Sequence, residues 1–296
     1  MTHKRNSRRA IALDKAVAVL AIAVALGYAG YTLFTHLRTP VQAGEEVQTP
    51  LPSTWNLTPE QALEQLLNAI DRRDYAGVEA FAKALFQNRD DVDIRPVIEG
   101  LRDPVIRAAR DGDVQLFEAL AVAKPAFGGR DELGRRPLHI AAEFDHAEVI
   151  EWLISNAAAD PNDRLPDTRL SPLHIAAAAN ATRAIRALID AEADVRASSR
   201  RGRTPLHHAV SREASVGVRA LLEKLTPGQI VVLIDAPDGD GNSALHIAAA
   251  EGDAQIASML LRAGASPTKT DALGRTPTEV AEANSHQAVV KVIAGD

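Results

Sequence analysis

Pro137-Leu138-His139-Ile140-Ala141-Ala142 returns with the same six residues at Pro172 to Ala177. It returns again as Pro205-Leu206-His207-His208-Ala209 and as Ala244-Leu245-His246-Ile247-Ala248-Ala249. Leu138, Leu173, Leu206 and Leu245 are 35, 33 and 39 residues apart, a period near 33 with two insertions. A unit of this size cannot bury its own apolar face, so the pattern predicts stacked units that each touch only their neighbours. Hydrophobic residues make up 46% of the chain and aromatics only 4%. Small side chains, alanine above all, let helix pairs approach closely and suit a thin stack better than one large core.

Opening each unit with this hexapeptide at this period, the chain resembles the ankyrin-repeat family. The resemblance implies an all-α solenoid of helix pairs joined by short β-turn fingers, and a protein as partner. It also implies that the hexapeptide histidine hydrogen-bonds to backbone in the adjacent finger, so His139, His174, His207 and His246 are read as structural and none as a metal ligand or general base. Proline fixes the turn into the first helix, while leucine and the two alanines face the next unit. Family members commonly close the second helix with a glycine at φ > 0. Gly264 keeps that feature, and Ala157 and Glu192 stand where it is expected, each at a cost of about 1 kcal/mol.

Outward from the clear units, residues 91–296 read as about five repeats. Asp103-Pro104-Val105 lies in phase, with no recognisable finger before it. Leu225 to Pro237 carries about six extra residues. There Thr226-Pro227 starts a predicted short helix bearing Ile230, Val231, Leu233 and Ile234. Residues 58–90 read as a degenerate helix hairpin capping the N-terminal end. Thr58-Pro59-Glu60-Gln61 supplies the N-cap, a proline at N1 and a capping-box glutamine. Ala62, Leu63, Leu66, Leu67 and Ile70 form the predicted buried face of its first helix, and Val78, Phe81, Ala82 and Leu85 that of its second. The last unit replaces Leu-His by Thr278-Glu279 and presents a polar edge, as a C-terminal cap does.

The N-terminus predicts a membrane anchor. Ala16 to Phe34 is 19 residues without a charge, long enough as a helix for about 28 Å, close to the ~30 Å hydrocarbon core. Residues 1–15 are basic and 35–57 form a proline-rich spacer, so the positive-inside rule leaves the N-terminus in the cytoplasm and the repeats outside. The alternative is a signal peptide cleaved near Ala43, since Val41-Gln42-Ala43 has the small-residue spacing of a cleavage site and Ser7-Arg8-Arg9 is twin-arginine-like. Both export the repeats. Arginine outnumbers lysine 26 to 7, which with the alanine bias points to a high-GC bacterial gene and hence to the periplasm.

Charge and motif narrow the function. Residues 1 to 40 hold six basic and one acidic side chain, leaving the remainder at −11. That balance disfavours nucleic acid and anionic lipid. There is no cysteine, and no H-E-x-x-H, G-x-S-x-G or P-loop string occurs. Asp238-Gly239-Asp240-Gly241-Asn242 opens like a calcium loop, but Ser243 and Ala249 stand where glycine and glutamate are required. No catalytic residue, cofactor, metal or small-molecule substrate is assigned.

Candidate partner-binding residues are the finger residues Arg135, Arg169, Arg200, Arg201, Arg203, Asp240 and Asn242. Phe144 and Arg212, near the ends of first helices, complete the set. The basic run Arg196, Arg200, Arg201, Arg203, with Arg183 and Arg186 from the preceding unit, stands out in an acidic body. It reads as a contact for an acidic partner, or as a solvated tip offset by Asp160, Asp163, Asp167 and Asp194. The leading function is an envelope-anchored protein that binds another protein as scaffold, stabiliser or regulator. An immunity-type or inhibitory partner of an exported effector is the variant. An enzyme with a polar pocket among Asp235, Asp238, His207 and His208, or a plain spacer, are the other classes.

Overall fold

The computed structural model describes residues 58–86 and 93–295. The predicted anchor at 16–34, its basic flank, the spacer and the cleavage site near Ala43 lie outside the described residues. Among the described residues every element is helical, and no helix is long and apolar enough to cross a membrane.

The chain divides into two units, Met1–Gly100 and Leu101–Asp296. The described part of the first holds α1 (Pro59–Asp71), α2 (Tyr75–Phe86) and a short α3 (Arg95–Gly100). Thr58 caps α1 through the predicted box: its hydroxyl accepts the Gln61 N–H, and Gln61 returns the bond to the Thr58 N–H at 3.0 Å. The core takes Ala62, Leu66, Ala69 and Ile70 from α1 and Val78, Phe81, Ala82 and Leu85 from α2. Leu63 and Leu67, expected inside, are half-buried, and Ala69 is buried in their stead. α1 packs on α3 as well as on α2, so its buried face is set by two neighbours and not by α2 alone.

The second unit is the stack. Its first helices are α4 (Arg102–Asp111), α6 (Pro137–Glu143), α8 (Pro172–Ala178), α10 (Pro205–Val210), α13 (Ala244–Glu251) and α15 (Pro277–Ala283), each packed on the next. A second layer of α5 (Val114–Ala119), α7 (Ala147–Ala157), α9 (Thr182–Asp190), α11 (Ser215–Lys224), α14 (Ala254–Arg262) and α16 (Gln287–Ala294) stacks alongside. Phe117, Phe127 of the 3-10 helix Lys124–Gly128, and Trp152 cluster at centroid distances of 5.2 to 5.5 Å, a bulky plug in a core otherwise built mainly from alanine, leucine, isoleucine and valine.

Two left-handed positions recur. The inner turn between paired helices uses Gly112, Asp145, Asn180, Glu213, Gly252 and Ser285, all at positive φ. Asp145 and Asn180 each use Oδ1 to accept an N–H from the first turn of the next unit's second helix, Ala184 at 2.8 Å and Gly217 at 2.7 Å. The side chain that suits the turn therefore also caps the neighbour. At the outer end, Glu192 and Gly264 take positive φ as expected, but the first of these positions is Ala158 (φ 52) and not Ala157, which is still helical. Leu153 accepts from both Ala158 and Ala159, so the helix runs one residue further before reversing.

The insertion folds as α12 (Pro227–Leu233), with Thr226 and Gln229 forming its capping box. Leu233 and Ile234 are buried, Ile230 is half-buried, and Val231 faces solvent. At the end of the stack Glu279 takes the histidine position. Its Oε2 accepts the Thr276 N–H at 2.7 Å and hydroxyl at 2.9 Å, doing the capping half of the histidine's work.

Candidate functional site

Five fingers enter α6, α8, α10, α13 and α15 with one shared bonding pattern, the second (165–170) being one residue longer than the other four. In each the first residue donates its N–H to the carbonyl of the last, and a left-handed residue just before the last donates back to the first carbonyl. The left-handed residue is Gly134, Gly202, Gly241 or Gly274 in four fingers and Arg169, at φ 60, in the other. The second to fifth fingers are joined in register by one backbone bond per pair: Arg200 N–H to Thr168 O at 2.8 Å, Gly239 N–H to Arg201 O at 2.8 Å, and Ala272 N–H to Asp240 O at 3.1 Å; the first is linked to the second through the Arg130–Asp163 ion pair at 3.4 Å. The tips of these four fingers are therefore held in a fixed row.

The hexapeptide histidines bolt this row to the helices. On His174, His207 and His246, Nδ1 accepts the N–H of Ser171, Thr204 and Ser243 at 3.1 to 3.2 Å, with the hydroxyl of the same residue 2.8 Å away. Nε2 lies 3.0 Å from the carbonyl oxygen of Arg203, Asn242 and Arg275 in the following finger. Burial pushes His174 down to about 4 and His207 below its ordinary value. His139 departs from the set: Arg136 stands where the others have serine or threonine, and neither ring nitrogen of the buried imidazole makes a full hydrogen bond, Asp163 Oδ2 lying 3.9 Å from Nδ1.

The first finger residue sorts the arginines. Asp131 and Asp271 accept N–H groups of their own turn and hold Arg135 Nε at 2.7 Å and Arg275 Nε at 2.9 Å. Burial opposes ionisation of Asp131, but the Arg135 N–H and guanidinium outweigh it and keep the carboxyl below its usual range. Arg135 also reaches Glu143, so this candidate is a strut within its unit. Arg203 is a strut between units, since its own finger starts with Ser199 and its Nε lies 3.3 Å from Asp238, whose side chain is 1% exposed. Asn242 is engaged twice, by its carbonyl with His207 and by its amide with Asp238.

The other candidates face water. Arg169, Arg200, Arg201, Arg212 and Asp240 are exposed, and Phe144 is 45% exposed with the Arg110 guanidinium 5.9 Å from its ring centroid. Arg183 and Arg186 do not join the finger run; they reach Asp145 and Glu148, and Glu223, along the second helices. Two tip residues escaped the sequence reading, Leu133 at 69% and Leu273 at 75% exposure. They occupy the same finger position as Arg201 and Asp240, and alignment on the finger glycines would have found them.

Nothing converges into a catalytic set at the residues weighed for one. Asp238 Oδ1 accepts the N–H groups of Asp240 and Asn242, which turns the calcium-like loop inward on its own amides. Asp235 accepts the Ser266 N–H and, through its carbonyl, Lys269 Nζ. His208 packs edge-on against His174 with centroids 5.2 Å apart. Burial, then the charges of His174, Arg203, His207 and Arg212, push it down to about 3. Among the described residues no cluster of histidine, aspartate or glutamate could hold a metal.

Residues 66–165 and 159–231 match a family model described as ankyrin repeats (3 copies), and residues 240–272 match one described as ankyrin repeat. The chain is 34% identical over 139 residues to the nuclear factor NF-kappa-B p105 subunit of Mus musculus, covering 46% of this chain and 14% of that protein. It is 31% identical over 150 residues to B-cell lymphoma 3 protein of Homo sapiens, covering 50% and 33%. With NF-kappa-B inhibitor alpha of Mus musculus it shares 26% identity over 186 residues, 61% of this chain and 58% of that one. Each of these relatives is thus matched over less than two thirds of its length. Among solved structures, the ankyrin repeat domain of Bcl-3, a member of the IkappaB protein family, aligns with a TM-score of 0.64 and 25% identity. That alignment covers 78% of this chain and 97% of the other.

Proposed function

The chain belongs to the ankyrin-repeat family, and on that premise we propose that it is a protein-binding module carrying out no reaction of its own. The observation that carries the reading is the row of fingers. A backbone ladder presents the unlike side chains Arg201, Asp240 and Leu273 at one equivalent position to solvent, with Leu133 at the same position of the first finger. Preorganised, chemically varied tips suit recognition of a protein surface, because little ordering entropy is lost on binding. His174, His207 and His246 and the finger acids support the same reading, since their polar groups are engaged in holding the row.

The module is tethered through Ala16 to Phe34, with the N-terminus in the cytoplasm and the repeats on the outer side of a bacterial inner membrane. The binding regulates or stabilises an envelope or exported protein. Similarity to a protein named as an inhibitor, NF-kappa-B inhibitor alpha, favours an inhibitory or immunity-type variant of this role.

Two measurements test these statements. Cross-linking in intact cells should capture the same envelope or exported protein reproducibly, and capture of none overturns the binding reading. A reporter that is active only outside the cytoplasm, fused after Asp296, should be active; an inactive reporter reverses the topology.

A further inference from the structure

The two adjacent fingers that begin at Leu165 and Ser199 lack the aspartate with which Asp131, Asp238 and Asp271 open the other three. In those three the carboxylate is the internal counter-charge: it accepts the turn's own N–H groups and faces Arg135, Arg203 or Arg275. Ser199 keeps the turn, its hydroxyl accepting the Arg203 N–H at 3.3 Å, but supplies no charge. Leu165 is buried and supplies neither.

The consequence is a local excess of unpaired cations. Arg169, Arg196, Arg200 and Arg201 are exposed and reach no carboxylate within ion-pair distance among the described residues, in contrast to Arg130, Arg135, Arg203 and Arg275. None of the nearby acids is ion-paired with these four side chains. Asp163 faces Arg130 and Arg136, while Asp160 and Asp194 accept the N–H groups of Asn162 and Arg196. Asp167 is the carboxylate left at the tip. The two fingers are tied by the Arg200 N–H to Thr168 O bond and by Arg164 donating to the Ser198 carbonyl at 3.2 Å, so the four guanidinium groups sit on one support.

Arg169 adds an independent observation. It holds φ 60 where the other four fingers use glycine. A non-glycine residue there costs of order 1 kcal/mol, and such strain gathers where the side chain is needed for a ligand.

We propose that the second and third fingers form a binding site for an acidic segment of a protein partner, several Asp or Glu in extended chain whose carboxylates take the guanidinium forks of Arg169, Arg196, Arg200 and Arg201. The proposal rests on the protein-binding reading above and names the chemistry of its partner. Arginine forks pair bidentately with carboxylates. A nucleic acid is disfavoured because its backbone charge runs on past two fingers and meets a body that carries −11 beyond residue 40.

The test uses the full chain and a fluorescent hexaglutamate peptide at low ionic strength, with hexaglutamine and an oligothymidylate of equal charge as comparators. Hexaglutamate should bind and hexaglutamine should not. Ser199→Asp restores the aspartate of the other fingers, so it should keep the melting temperature while weakening binding about three- to tenfold, as should the double variant Arg200→Ala/Arg201→Ala. Arg169→Gly should hold or raise the melting temperature and still weaken binding, which a purely structural residue would not do. Equal binding by the parent and all these variants, no binding of hexaglutamate, or tighter binding of the oligothymidylate overturns the proposal. In cells, undiminished cross-linking of the same partner by Ser199→Asp and Arg200→Ala/Arg201→Ala removes the arginine site while leaving the protein-binding reading standing. Loss of all capture by the parent chain removes that reading.

Discussion

Nε2 of His207 lies 3.0 Å from the carbonyl oxygen of Asn242 in the next finger. This contact places the proton on Nε2 and leaves Nδ1 as the acceptor for the Thr204 N–H at 3.2 Å. The ring is therefore held neutral: a proton on Nδ1 would turn the acceptor into a donor facing another donor. His174 and His246 are wired the same way.

Acid should loosen the stack well above the range in which carboxylates titrate. Burial holds His139 and His174 at about 4 and His208 at about 3, while unfolded histidine titrates near 6.5. Between those values the unfolded chain binds protons that the folded chain refuses. The contribution is complete above about pH 6.5, is lost as the pH falls towards about 4, and is gone below, amounting to about 3 kcal/mol for each of His139 and His174. Urea unfolding of the full chain at about pH 7.5, 6 and 4.5 should show the midpoint falling at each step. A constant midpoint would refute the assignment of neutral, buried rings.

The histidines should not be equivalent to substitution. His207→Leu leaves the Asn242 carbonyl and the Thr204 N-cap without their partner and should cost about 2–4 kcal/mol. His139→Leu removes two nitrogens that make no full hydrogen bond, with Asp163 Oδ2 at 3.9 Å, and should cost clearly less than His207→Leu. Thermal melts of the two variants side by side decide this, and equal losses would count against the bridging role of His207.

Gly217 should not tolerate a methyl group. A Cβ there would fall within the van der Waals envelope of the Ala177 carbonyl oxygen, a backbone atom that cannot swing aside. Gly217→Ala should therefore cost about 1–3 kcal/mol by overpacking even though alanine favours helices. A melting temperature at or above that of the parent chain would contradict the close approach of α11 to α8.

Relief should follow at the outer helix ends. Ala158 and Glu192 both hold positive φ, 52 and 60, without being glycine. Ala158→Gly and Glu192→Gly should each stabilise by about 0.5–1 kcal/mol. A loss of stability in both would mean that the reversal is not strained.

The fold was legible because a period is a local property: the hexapeptide, its spacing and the capping box at Thr58 state helix starts residue by residue. The insertion helix was legible for the same reason, Thr226-Pro227 being a start signal that needs no tertiary context. Ala69 for Leu63 and Leu67, and Ala158 for Ala157, were not. Which side of a short helix faces inward, and where it reverses, depends on what packs against it.

The candidate site divides along the same line. The sequence by itself determined that the chain is a stack, that its histidines repeat with the stack, and that cations gather in the third finger. It could not separate Arg135 and Arg203, which are struts, from Arg169, Arg200 and Arg201, which face solvent, because all five are the same residue in similar turns. Only the tertiary structure made that division. An arginine's availability is set by whether a carboxylate lies within reach, and for Arg203 that carboxylate, Asp238, is 35 residues away along the chain and 3.3 Å away in space.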